Sequence, residues 1–227
     1  MAIRSKTLVA AAFALAALDA PAQAPDATPL YVVTYVEARP DARDDAAAIL
    51  KAYRDASRKT QGNLRALVVQ RTRRPGQFVL LTVWRDKAAW DAGMEGAKGF
   101  REKLHAIRNA PTDDRFHNRL SVGPMDLPAS AGALYGVTHV DVIPPQKDNA
   151  IAALQLLGEA NRAAAGNLRY EIVQQTNRPN HFTVVELWRS RADYEANSMS
   201  PQQREFRDKL SQMAGALYDE RLYEILE

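Results

Sequence analysis

Residues Gly62 to Asp86 read GNLRALVVQRTRRPGQFVLLTVWRD, and residues Gly166 to Ser190 read GNLRYEIVQQTNRPNHFTVVELWRS, 104 positions later and identical at 12 of 25 places. The likeness runs upstream at the same shift, where LYVVTYVEARPDARDD from Leu30 lies on LYGVTHVDVIPPQKDN from Leu134. After the Trp-Arg pair the second copy gains two residues. The register then continues, FREKL from Phe100 on FRDKL from Phe206 and DDRFHNRL from Asp113 on DERLYEIL from Asp219. The chain is one unit written twice, so whatever surface one copy leaves uncovered the other leaves uncovered too. Between the copies lies SVGPMDLPASAGA, residues 121–133, with the Pro, Gly, Ala and Ser content of a linker.

Each copy carries the same succession of patterns. Leu30 to Ala38 and Leu134 to Val142 are β-branched and aromatic runs ended by Pro40 and Pro144, which predicts strands. Asp44 to Gln61 and Asp148 to Ala165 place Ile49, Leu50 and Tyr53, or Leu154 and Leu157, at helical spacing, with Gly62 and Gly166 as stops. Two strands follow in each copy, Leu64 to Arg71 with Phe78 to Trp84 and Leu168 to Gln175 with Phe182 to Trp188. They are joined by TRRPGQ and TNRPNH, turn-forming sequences that predict hairpins. Asp86 and Ser190 stand where a second helix needs an N-cap, with Asp193 completing a capping-box-like pattern. Phe100, Leu104 and Ile107, like Phe206, Leu210 and Met213, continue that helix or a successor, and short strands over Arg115–Leu120 and Arg221–Leu226 close the units. The order β-α-β-β-α-β is the ferredoxin-like arrangement of an α+β fold. Such a sheet has one face under its helices and one bare, and a second identical sheet covers the bare face. The expected organisation is a leader at 1–24, repeats at 25–120 and 134–227, and the 121–133 linker.

The leader is expected from Arg4 and Lys6 before the apolar run Leu8 to Leu18, followed by Ala22-Gln23-Ala24 as a small-residue cleavage site. As a helix that run would rise only about 16 Å, against a hydrocarbon core of roughly 30 Å. The pattern predicts a periplasmic or secreted protein whose mature form has no membrane span. Without the leader the formal charge falls from +3 to +2. Basic and acidic residues are interleaved, the pattern of a solvated surface and not of a nucleic-acid-binding face. There is no cysteine, so disulfides, thiolate metal sites and a thiol nucleophile are excluded.

The stretch GNLRYEIVQQTNRPNHFTVVELWRSRADYEANSMSP resembles the core motif of the antibiotic biosynthesis monooxygenase domain, of the dimeric α+β barrel superfamily. The elements shared are a Gly before the second strand, an Arg-Pro turn, Glu-x-Trp on the third strand and a Ser-Pro on the following helices. The resemblance covers nearly all of the chain after the leader, twice, the second copy being the closer. It implies two ferredoxin-like repeats fused into a pseudo-dimeric barrel that is a monomer in solution. It also implies clefts between sheet and helices in which a small aromatic or quinol-type molecule is oxidised by O2 with no metal or flavin. Where the motif has a helical His, this chain has Gly93 and Asn197, so the axial haem ligand of the family's haem-degrading branch is missing.

Alternation puts Tyr135, Val137, His139 and Asp141 on one face of their strand, and Phe182, Val184, Glu186 and Trp188 on one face of theirs. If both faces look at the helices, His139 is the proton acceptor, Glu186 orients it and Trp188 walls the substrate. Tyr35, Trp84, Tyr135, Asn197 and Arg169 are then the candidate substrate contacts. The same residues fit a structural reading, with the tryptophans as core and Glu186 in a salt bridge to Arg169 or Arg189. Copy one has Tyr35 and Thr82 in place of His139 and Glu186, so one competent cleft and one degenerate cleft are expected. His105, His117, His139 and His181 lack metal-ligand spacing, so no metal site is expected from the sequence. The alternative function is a non-catalytic protein binding a hydrophobic small molecule, haem through His139 or His181 included.

Overall fold

The computed structural model describes residues 28–124 and 132–227; the expected leader lies outside the described residues, as do residues 125–131 of the connector. Each half contributes four strands: β1 (Leu30–Glu37), β2 (Asn63–Arg71), β3 (Gln77–Trp84) and β4 (Asp113–Ser121), then β5 (Leu134–Asp141), β6 (Asn167–Gln175), β7 (His181–Trp188) and β8 (Asp219–Ile225). The long helices are α1 (Arg43–Arg58) and α4 (Lys147–Arg162). The second helical segment of each half is a pair, α2 (Lys87–Gly96) with α3 (Lys98–Ile107), and α5 (Arg191–Ser198) with α6 (Pro201–Ser211). The successor helix is thus realised in both copies.

The local signals act as their chemistry requires. Pro40 and Pro144 open single 3-10 turns that lead into α1 and α4. Gly62 and Gly166, at φ +85° and +78°, turn the chain out of α1 and α4 in the left-handed region that glycine enters without cost. Both are also crowded, since a Cβ at Gly166 would fall 2.3 Å from Asp193 Cγ. Asp86 accepts the Ala89 N–H at 2.7 Å, Ser190 that of Asp193 at 3.1 Å and Ser200 that of Gln203 at 3.2 Å. The Ser200-Pro201 pair is therefore the N-cap and first residue of α6.

The eight strands form a closed barrel in the order β1-β3-β2-β8-β5-β7-β6-β4, every pairing antiparallel. Covering is only part of what the second copy does. The last strand of each half is a seam, β4 pairing with β1 and β6, and β8 with β5 and β2. Among the described residues no sheet edge is left open. Four antiparallel steps separate β1 from β5, so they run the same way and corresponding ends of the two halves share one mouth of the barrel.

Two kinds of core result. Val33, Val79, Leu81, Tyr135, Val137 and Leu187 fill the barrel. Outside it, α1 and α3 pack on one half through Leu50, Tyr53 and Phe78, and α4 and α6 on the other through Leu154, Phe182 and Phe206. The inner strands β1, β3, β5 and β7 are therefore covered on both faces, while the seam strands β4 and β8 are only partly covered. The barrel interior also holds ions: Arg65 of the first half grips Glu171 of the second through two hydrogen bonds of 2.7 Å, and Arg169 lies 3.5 Å from the same carboxylate. Burial raises the Glu171 carboxyl and the Arg65 guanidinium opposes the shift.

Candidate active site

β5 and β7 pair in a register that sets Gly136 against Glu186, Val137 against Val185 and His139 against Thr183. Directly opposed residues share a face of the sheet. Glu186 and Trp188 therefore belong with Gly136 on the helix side, while His139 and Tyr135 belong with Val137 inside the barrel. The expected cleft of His139, Glu186 and Trp188 does not form, because the sheet lies between the histidine and the other two. Both faces of these strands are buried, so alternation carried no information on which face was which.

The substrate-contact candidates divide the same way. Tyr35 and Arg169 face the barrel interior, Tyr35 with the Arg115 guanidinium 4.7 Å from its ring centre. Trp84 lies on the helix side of the first half, packed with Leu30, Val32 and Ala89, and donates Nε1–H to Thr82 Oγ1 at 3.0 Å. Asn197 is half-buried near the end of α5. The salt bridge considered for Glu186 is absent: Arg169 faces Glu171, and Arg189 grips Asp193 at 2.9 Å.

On the helix side of the second half, Glu186 is 3% exposed and its Oε2 accepts Trp188 Nε1–H at 2.8 Å. Burial pushes its carboxyl up to about 7, against the Trp188 hydrogen bond; Glu220 raises it further and Arg207 lowers it. Around it stand three phenols, Tyr170, Tyr194 and Tyr218, each raised first by burial and also by the Glu186 charge. Arg207 of α6 lies 3.6 Å from Glu220 of β8. Gly136 makes the room: a Cβ there would lie 2.5 Å from both Cγ and Oε1 of Glu186.

The first half keeps the ion pair and the tryptophan, Trp84 in place of Trp188, and loses the carboxyl and the glycine beside it. Arg101 and Asp114, matching Arg207 and Glu220, meet at 2.6 Å, and Thr34 donates to Asp114 at 2.7 Å. Thr82 replaces Glu186, Val32 replaces Gly136 and Ala66 replaces Tyr170. That paired exchange, glutamate over glycine in one copy and threonine over valine in the other, was readable from the repeat. It would have placed residues 136 and 186 on one face. Tyr170 stands opposite Glu186 across the β6–β7 hairpin, but Tyr194 and Arg207 gave no such signal, because their meeting with it depends on how α5 and α6 cross the sheet.

His139 and His181 do not remain scattered. They meet at the barrel mouth with Asp141, on the opposite side of the sheet from Glu186, a convergence that their spacing in the sequence did not indicate. His117, fully buried, is bonded through Nε2 to Thr183 Oγ1 at 2.9 Å.

The profile described as Antibiotic biosynthesis monooxygenase matches residues 29–97 and 134–209, one match in each half. The chain belongs to the antibiotic biosynthesis monooxygenase family. Among solved structures, the putative monooxygenase of Fusobacterium nucleatum is 14% identical with TM-score 0.80, over 88% of this chain and 94% of that one. The putative monooxygenase of Lactobacillus acidophilus is 14% identical with TM-score 0.72, over 88% and 95%. An anthrone oxidase-like protein is 12% identical with TM-score 0.67, over 89% and 92%. At such identities the likeness is one of fold. No curated protein sequence matches the chain.

Proposed function

We propose that the second half of this antibiotic biosynthesis monooxygenase family member is the working half. In this reading it oxidises a small aromatic or quinol-type compound with O2 in the cleft around Glu186. The observation that carries this reading is a buried carboxyl with a pKa near neutrality, held by Trp188 and ringed by three phenols. A carboxylate that titrates near 7 is well matched to removing a weakly acidic proton at neutral pH. Trp188, Tyr170 and Tyr218 supply flat apolar surface for an aromatic ring, and the phenol O–H groups can donate to the oxyanion that deprotonation leaves.

The overall change balances without another reductant. For an anthrone, the CH2 group between two aromatic rings, acidified through them by the ring carbonyl, becomes a second carbonyl, giving up two hydrogens and four electrons. One oxygen atom of O2 enters the product and the other leaves as water. Glu186 takes the first proton and the resulting carbanion, delocalised onto oxygen, is the electron donor to O2.

None of the residues of α5 is buried, and its Tyr194 is one of the phenols near Glu186. In our reading α5 moves to admit substrate and then excludes water from the anion. The first half, with Thr82 where Glu186 would be, lacks the base and is a binding or structural partner. Oxygen uptake by the purified chain, in chelator, against hydroquinones, anthrones and polyphenols tests the reading. Consumption with one O2 per carbonyl formed supports it; a complete lack of uptake shifts the assignment to ligand binding. Export, expected from residues 1–24, would make the substrate a periplasmic or extracellular one.

A further inference from the structure

We propose that the barrel mouth of the second half is a binding site for a divalent first-row transition ion, with His139, Asp141 and His181 as protein ligands. The site is distinct from the Glu186 cleft, lying on the other face of the sheet, and does not depend on the proposed reaction.

The register brings the three together from two strands. Asp141 and His181 are a directly opposed pair, and His139 is two residues back on β5 on the same face. His139 Nε2 lies 3.2 Å from His181 Nδ1, and His181 Nε2 lies 3.5 Å from Asp141 Oδ1; one ligand atom from each of the three falls within 4.8 Å of the others. Two imidazole nitrogens bound to one ion at about 2.0–2.1 Å stand roughly 3 to 3.5 Å apart, so the histidines are already at ligand spacing. The side chains of His181 and Asp141 are 14% and 22% exposed. An ion can thus reach them from a cavity of about 380 Å³ that Gln175 and Asn177 help to line, leaving coordination positions for solvent or a small ligand.

The other half of the same mouth shows what a purely structural solution looks like. There Tyr35, Glu37 and Gln77 take the matching positions. Gln77 donates to Glu37 at 3.2 Å, Arg71 to Gln77 at 2.6 Å and Asn109 to Glu37 at 2.9 Å. Donors meet acceptors throughout. In the second half two imidazoles and a carboxylate converge instead, the His139–His181 contact needing an N–H on one ring or an ion between the two, and His139 Nδ1, though buried, has no hydrogen-bond partner. The neighbouring cation Arg115 is engaged by Asp113 at 2.8 Å and by the Tyr35 ring. Two imidazoles and one carboxylate favour Zn2+, Co2+, Ni2+ or Cu2+ over Mg2+ or Ca2+, which take oxygen ligands.

The test is equilibrium dialysis of the tag-free, chelator-stripped full chain against Zn2+, with the visible spectrum of the Co2+ form as a second readout. One ion per chain is expected, weakened at least about tenfold in Asp141→Asn and in His181→Gln, and unchanged in Glu186→Gln. Circular dichroism of each variant checks its fold, and should His181→Gln not fold, His139→Gln takes its place. The proposal is overturned by no binding at about 0.1 mM Zn2+, by variants that bind as the parent does, or by Mg2+ competing equally with Zn2+.

Discussion

Gly136 faces Glu186 across the β5–β7 ladder, and any side chain at 136 would occupy the space of the glutamate's Cγ and Oε1. The charged group of the cleft and the absent side chain beside it are one feature. Gly136→Ala is therefore expected to push Glu186 off its Trp188 hydrogen bond and to cost about 1–3 kcal/mol, the range for overpacking a close-packed interior. Urea unfolding measures the cost. The double variant Gly136→Val with Glu186→Thr, which copies Val32 and Thr82 of the first half, is expected to recover most of it.

The raised carboxyl of Glu186 has a stability signature. Its folded pKa, about 7, lies above the ordinary 4.5, so the folded state binds the proton more tightly than the unfolded state does. The group's favourable share is complete below about pH 4.5 and is lost as pH rises to about 7, in all roughly 3 kcal/mol. Glu186→Gln should thus be more stable than the parent at pH 8, with the gap closing at pH 4, as read from denaturant midpoints. A gap independent of pH would show that Glu186 is ionised at an ordinary pKa.

Breaking the ion pair between the halves tests how the barrel interior is held. Arg65→Met leaves Glu171 buried with Arg169 at 3.5 Å as its remaining cation, and a loss of about 3–5 kcal/mol is expected at pH 8. Without Arg65 the Glu171 carboxyl rises further, so the loss should shrink at pH 5, where the group can protonate. Thermal or urea unfolding of the variant at the two pH values gives both numbers.

The repeat told most of the architecture because each element was signalled twice, by Gly62 and Gly166, by Asp86 and Ser190, and by the paired hairpins. What it did not tell was the phase of the strands. For a strand with one wet face, polarity says which side is out. β5, with Leu134, Tyr135, Val137, Thr138 and Val140 all buried, has no wet face. His139 and Glu186 were each singled out by residue type, yet a one-residue difference in pairing decides whether they share a cleft, and it put them on opposite sides. The meeting of His139 with His181 depended on the same unseen register.

Closure of both seams within one chain leads to an oligomeric expectation. With β2 paired to β8 and β4 to β6, no strand edge among the described residues is available to another copy, so the protein should be a monomer. Light scattering should give one chain mass, and a mass of two chains that persists on dilution would contradict this.

We assign the chemistry to the helix side of the second half and to Glu186. Oxygen uptake with the best substrate of the quinol and anthrone panel, compared for the parent, Glu186→Gln and His139→Ala, tests it most directly. Uptake should rise with pH through about 7 in the parent, fall by at least about a hundredfold in Glu186→Gln, and change little in His139→Ala. Uptake that survives in Glu186→Gln but disappears in His139→Ala would contradict it and move the reaction to the barrel mouth.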